Sequence, residues 1–179
     1  REAGGFTSAR LRTRRAWLYG RVEVVARLPT ERGTWPAIWM LPPKPFEWPG
    51  DGELDLMEHV GHNAGTVHAH VHTAVYNHTA GTSKGRHCAV PDVGGAFHAY
   101  TLQWDQDRVE FLLDGAEQPF FRFFNERRGR TSWPFDRPFQ LILNVAVGGS
   151  WGGQRDVGED WERERMLVRS ITVYQVSQA

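Results

Sequence analysis

The sequence predicts an all-β fold, a Greek-key sandwich with one grooved face. Three observations carry that expectation. No segment holds helical periodicity for more than a turn or two, apolar and polar residues alternate in short runs, and turn residues punctuate the runs. At 179 residues the chain is long enough to bury a core. No repeat, linker or low-complexity tract divides it, so a single domain over residues 1–179 is expected.

The candidate strands follow in order: "FTSARLRT" (6–13), "GRVEVVARL" (20–28), "AIWML" (37–41), "ELDLME" (53–58) and "TVHAHVHTAVY" (66–76). After them come "FHAYTLQWD" (97–105), "RVEFLLD" (108–114), "FQLILNVAV" (139–147) and "MLVRSITVYQ" (166–175). "DQD" (105–107) and "DGAE" (114–117) read as hairpin turns. "NERRGRTSWPFDRP" (125–138) reads as a long polar loop.

Composition excludes several function classes. Lys plus Arg and Asp plus Glu are both 21, so no net field draws nucleic acid or an anionic membrane. No apolar run approaches the roughly 18 residues that a membrane span requires. Cys88 is the only cysteine, which rules out a disulfide framework and a four-cysteine zinc site. Eight tryptophans are many for this length, and several lie in Gly-rich or Pro-rich company: "GTWPAIWMLP", "FEWPGDG", "TSWPF", "GGSWGG". Core packing explains tryptophan in strands, but loops lie at the surface. Flat aromatic faces there suit stacking on sugar rings or bases, and without a basic excess sugars are favoured.

The segment "GDGELDLMEHVG" (50–61) concentrates the chemistry. On a regular strand Glu53 and Asp55 share one face and Glu58 takes the other. One extra residue bulged near Met57 returns Glu58 to the first face, while Leu54 and Leu56 point into the core. Glu53 and Glu58 then stand roughly 13 Å apart along the strand. Side chains leaning inward can bring the carboxyls to about 5–5.5 Å, the separation used by retaining glycosidases. Crowded carboxylates raise at least one pKa, as an acid that protonates a leaving sugar at neutral pH requires. A solvated strand face, or a calcium site, fits the spacing of these acids equally well.

Taken together, "YGRVEVVARLP", "GTWPAIWMLP", "GDGELDLMEHVG", "VHTAVYNH", "WPFDRPFQLILNVAVGGSWGG" and "ITVYQ" resemble, in that order, bacterial laminarinases. These are the endo-1,3-β-glucanases of glycoside hydrolase family 16. The resemblance runs from about Thr7 to Gln175. It implies a β-jelly roll whose concave sheet forms an open cleft for a linear polysaccharide, and a retaining reaction through a covalent glycosyl-enzyme. By resemblance Glu53 is the nucleophile, Asp55 its helper and Glu58 the acid/base. No cofactor is implied.

Further residues follow with alternatives attached. Trp35 and Trp39 share a parity and fit either the core or the cleft; the resemblance favours Trp39 as a sugar platform and puts Trp35 near one cleft end. Trp104 is expected in the cleft, with a structural role as its alternative. Asn144 interrupts an apolar run and should bond inside the sheet or face sugar hydroxyls. Trp151 is placed on a loop over the cleft. Arg21 reads as a sheet salt-bridge residue. His68, His70 and His72 alternate, and a zinc site is one reading of them. Three imidazoles on one flat strand do not converge on a tetrahedral point, so no metal is expected. By resemblance His72 lies in the cleft, while the roles of His68 and His70 stay open.

Two departures from the family pattern set further expectations. Strands that laminarinases carry before "FTSARL" are not in this sequence, which predicts an unusually small fold or self-association through the uncovered N-terminal edge. Arg169 stands where a calcium-binding Asp is expected, which predicts no calcium there. The predicted activity is endo-hydrolysis of β-1,3-glucan, including mixed-linkage β-glucan. The alternatives are a β-galactanase or agarase of the same family, and a non-catalytic β-glucan-binding protein on the same fold. A polysaccharide substrate also predicts a secreted, extracellular protein.

Overall fold

The computed structural model describes residues 5–158 and 161–175. Among them two antiparallel sheets hold nearly all the regular structure. The first sheet runs β1 (Arg10–Arg12), β10 (Gln140–Val147), β3 (Thr34–Leu41), β4 (Glu53–Glu58), β5 (Thr66–His72) and β6 (Lys84–Ala89). The second runs β11 (Leu167–Tyr174), β2 (Gly20–Arg27), β7 (His98–Trp104), β8 (Arg108–Leu113) and β9 (Phe121–Phe124). A 3-10 turn at Gly61–Asn63 and a four-residue helix α1 (Gly149–Gly152) complete the elements. No helix among the described residues is long and apolar enough to cross a membrane.

Alternation builds the core. Val22, Val24 and Ala26 of β2 and Val67, Ala69 and Val71 of β5 are fully buried, each flanked by more exposed neighbours. Met40, Leu54 and Leu141 of the first sheet join Tyr100, Leu102 and Phe111 of the second in one apolar cluster. Each large side chain buried there stabilises the sandwich by about 1.5–3 kcal/mol.

The bulge forms where the parity of the sequence requires it. Asp55 pairs with Trp39 but Glu58 pairs with Ala37, so three steps on β4 face two on β3. The same slip recurs against β5, where Asp55 opposes His70 and Glu58 opposes His68. Leu56 and Met57 both turn inward and are buried.

Several elements differ from the sequence reading. β6 is an additional strand: "KGRHCA" is mostly exposed and lacks apolar alternation. Backbone pairing with β5 holds it, Val71 opposite Lys84 through Thr66 opposite Ala89. β9 is additional too, and at four residues it is too short to show a period. β5 stops at His72, because Thr73 and Tyr76 close a turn by backbone and side-chain hydrogen bonds. The 125–138 loop is polar only in part. Trp133 and Phe135 are buried in it, Trp133 stacked on Phe123 and Phe135 edge-on to it. Both expected hairpin turns are present. Asp105 accepts bonds from the Asp107 and Arg108 amides, and Asp114–Gly115 takes left-handed φ values of 51° and 69°.

Candidate active site

A cleft of about 820 Å³ opens on the outer face of the first sheet. Its floor is β4, whose bulge points Glu53, Asp55 and Glu58 into the same space. β5 supplies His70 and His72 beside them, and β3 supplies Trp35 and Trp39 on the other flank. Asn144 of β10 and Trp151 of α1 complete the walls.

Each carboxylate has separate partners. The Trp35 Nε1–H donates to Glu58 Oε1 at 3.1 Å, and His70 Nδ1 lies 3.2 Å from Glu58 Oε2. The Trp48 Nε1–H donates to Glu53 Oε2 at 2.5 Å. Glu53 and Asp55 are close enough that each alters the proton affinity of the other. Asp55 is only 2% exposed, with His72 Nε2 at 3.2 Å from its Oδ2.

The aromatic walls are fixed as firmly. The Trp39 Nε1–H donates to Asn144 Oδ1 at 2.8 Å, which satisfies the amide inside its apolar run. The Arg10 guanidinium covers the Trp39 ring at 4.5 Å. Trp151 meets Trp35 edge-on at 5.5 Å and His68 at 4.9 Å.

Burial around the cleft favours neutral side chains. Burial, followed by the Asp55 charge, pushes Glu53 up to about 9, against opposing pulls from His72 and the Trp48 N–H. Burial, then the Glu58 charge, holds Asp55 well above the usual carboxylate range. Burial, then His70 and His87, pushes His68 down to about 4, so it stays neutral. The Glu53–Asp55 pair therefore retains a proton at neutral pH. For Glu53 to act as an anion, that proton has to pass to Asp55.

Glu53, Asp55, Glu58, Trp35, Trp39, His72, Asn144 and Trp151 all line this one cleft. Trp104 does not, which corrects the expectation for it. It ends β7 in the second sheet, 4% exposed, with its face turned to the core and Tyr19 edge-on at 6.4 Å. Parity alone could not tell which sheet its strand joins. Arg21 pairs with Glu23 at 2.9 Å on that same second sheet, and the Arg169 guanidinium covers the Phe97 ring at 4.1 Å. Trp48 is a site residue that the strand pattern missed, although its place in "FEWPGDG", five residues before Glu53, was a signal. His78 also lines the cleft, its ring 5.1 Å from that of Trp48. Two trios, Glu53–Asp55–His72 and Asp55–Glu58–His70, bring ligand atoms within 4.8 Å of one another and could hold a cation.

Two carboxyls flanking a third, a retained proton and aromatic walls can cleave an acetal by nucleophilic attack with acid assistance. Known proteins carry the same arrangement of sequence. The profile of the glycosyl hydrolases family 16 matches residues 2–163. A β-glucanase of Rhodothermus marinus is 45% identical over 97% of this chain and 64% of its own length. The crystal structure of the laminarinase from Rhodothermus marinus superposes with a TM-score of 0.88 at 44% identity, over 93% of this chain and 70% of that one. A non-specific endo-β-1,3(4)-glucanase co-crystallised with 1,3-β-D-cellotriosyl-glucose also superposes at 0.88, with 42% identity over 93% of this chain and 65% of that one. The chain thus spans less than two thirds of the length of the curated relative, and both superpositions confirm the jelly-roll architecture.

Proposed function

Because the chain belongs to glycosyl hydrolase family 16, we propose that it is an endo-acting, retaining hydrolase of β-1,3-glucan, mixed-linkage β-glucan included. The observation that carries this is the bulge of β4, which gathers Glu53, Asp55 and Glu58 on one face of an open cleft. An open cleft admits the middle of a polymer, which suits internal cleavage.

The reaction follows from the partners of each group. The Glu53 proton moves to Asp55, and the freed Glu53 oxygen attacks the anomeric carbon. The glycosidic C–O bond breaks as Glu58 gives its proton to the leaving oxygen. Glu58, now a carboxylate supported by the Trp35 N–H, takes a proton from water. The resulting hydroxide attacks the anomeric carbon and releases Glu53. The aromatic walls formed by Trp39, Trp35 and Trp151 supply stacking faces for sugars. No step calls for a metal or an organic cofactor.

Reducing-sugar release from laminarin, compared with agarose and mixed-linkage glucan, tests the proposal with Glu53→Gln as control. Activity on laminarin that Glu53→Gln removes is the expected result. Laminarin bound but not cut would favour a glucan-binding protein, and release from agarose alone would favour a galactanase. Action outside the cell is part of the same proposal, since such a polymer does not cross a bilayer. Self-association is a further part. β11 is an edge strand that exposes Val168, Ile171 and Tyr174, and sedimentation velocity reads it out.

A further inference from the structure

We propose that one half of the cleft is a binding site for a single borderline transition-metal cation, with Zn²⁺ as the reference ion, held by His70, Glu58 and Asp55. The ion would be a reversible blocker of the cleft and not a cofactor. Only its effect on turnover rests on the glucanase reading; the binding does not.

The ligand geometry is nearly assembled. His70 Nδ1 and Glu58 Oε2 are 3.2 Å apart. Two ligands of a tetrahedral zinc, each at about 2.0–2.1 Å, are separated by about 3.3–3.4 Å, so this edge requires almost no movement. Asp55 closes the trio within 4.8 Å. Its Oδ2 is buried and lacks a hydrogen-bond donor, even though His72 Nε2 lies 3.2 Å away. A buried oxygen without a donor is what a cation satisfies.

The imidazole is also held in position. Gly85 stands directly opposite His70 on β6, and a Cβ there would come within 2.0 Å of His70 Cδ2. The ring therefore lies close against Gly85, between the rings of His68 and His72 at 6.1 Å each. This arrangement answers the objection that three histidines on a flat strand do not converge. They do not, but one of them converges with carboxylates from the neighbouring strand.

Donor chemistry selects the ion. One imidazole nitrogen with two carboxylates favours Zn²⁺, Cu²⁺ or Ni²⁺, whereas Mg²⁺ and Ca²⁺ prefer oxygen alone. Three protein ligands leave a fourth position facing the cleft. The second trio is the poorer host, because Trp48 donates to its Glu53 oxygen and packs over His72. Arg10 is the lysine or arginine side chain lining the cleft, and it lies over Trp39.

The test is isothermal titration of the metal-free chain with ZnCl₂ at fixed pH. One Zn²⁺ per chain is expected, weakened about tenfold or more by His70→Ala and by Glu58→Gln. Gly85→Ala, which keeps every ligand residue but displaces the His70 ring, should weaken it as well. Mg²⁺ and Ca²⁺ should give no saturable heat. Wild-type chain loaded with Co²⁺ should show the visible absorption of a four-coordinate ion, lost on adding Zn²⁺, whether or not the variants fold. No saturable Zn²⁺ binding, or binding that His70→Ala and Gly85→Ala leave unchanged, overturns the site. Laminarin hydrolysis, followed in parallel, should fall with Zn²⁺ and recover with EDTA. A chain that binds Zn²⁺ this way but never cuts laminarin keeps the site and sinks the glucanase reading. A chain that cuts laminarin without binding Zn²⁺ does the reverse.

Discussion

Asp55 and Glu110 are almost equally buried, at 2% and 5% exposure, and each sits within a strand of its own sheet. Their protons behave in opposite ways. Burial raises the Glu110 pKa, but hydrogen bonds from Gln103 and Arg122 and the charges of Arg108 and Arg122 outweigh it, and the net shift is downward. For Asp55 burial is the largest cause, the Glu58 charge adds to it, and it is held well above the usual range. Low exposure alone therefore does not distinguish a structural acid from a reactive one. The difference lies in the company: arginines on the second sheet, and acids, imidazoles and indoles in the cleft.

The largest effect expected from this contrast is on turnover. Glu53→Gln or Glu58→Gln should lower kcat on laminarin by about 10³-fold or more. Glu110→Gln should leave kcat within about twofold while lowering the melting temperature, since it removes the carboxylate that pairs with Arg108 and Arg122. A comparable loss of kcat in Glu110→Gln would break the comparison. Next comes Trp35→Phe, which keeps an aromatic wall but removes the N–H that supports Glu58 Oε1. It should lower kcat on laminarin about tenfold with KM little changed. A change in KM alone would mean that Trp35 serves only as a platform.

A smaller effect concerns stability against pH. Glu53 rises from 4.5 in the unfolded chain to about 9 in the fold, so the folded state binds its proton more tightly. Stability from this group is complete below about 4.5 and is lost as pH rises toward 9. Glu53→Gln should flatten that decline and melt a few degrees above wild type near pH 8, as calorimetry can show. Glu110, shifted downward, works in the other direction. Its contribution is present above the ordinary glutamate range and fades as pH falls through its folded value. Glu110→Gln should therefore cost stability at neutral pH and little in strong acid. His59 sharpens the acid side further. It is fully buried, and burial followed by His68 and His62 pushes it down to about 4. Stability should fall as pH drops from about 6.5 toward 4, and His59→Leu should lessen that fall.

Much of this was legible along the chain because it depends on local parity. Alternation marked the strands of the core, and the spacing of Glu53, Asp55 and Glu58 demanded a bulge that the pairing with β3 and β5 shows. β6 was illegible for a physical reason. Its stability lies in backbone bonds to β5, which leave no trace in side-chain polarity. Trp133 and Phe135 look like loop residues until the sandwich offers them a core to fill.

The sequence by itself determined which acids share a face and which strands alternate, since each follows from a period of two within one strand. Only the tertiary structure decided that Trp104 belongs to the core and Trp48 to the cleft, and that His70 meets Glu58 across two strands. It also separated Glu110 from Asp55. Contacts between strands distant in sequence, unlike parity, depend on sheet order and register, and these are settled only when both sheets close over one core.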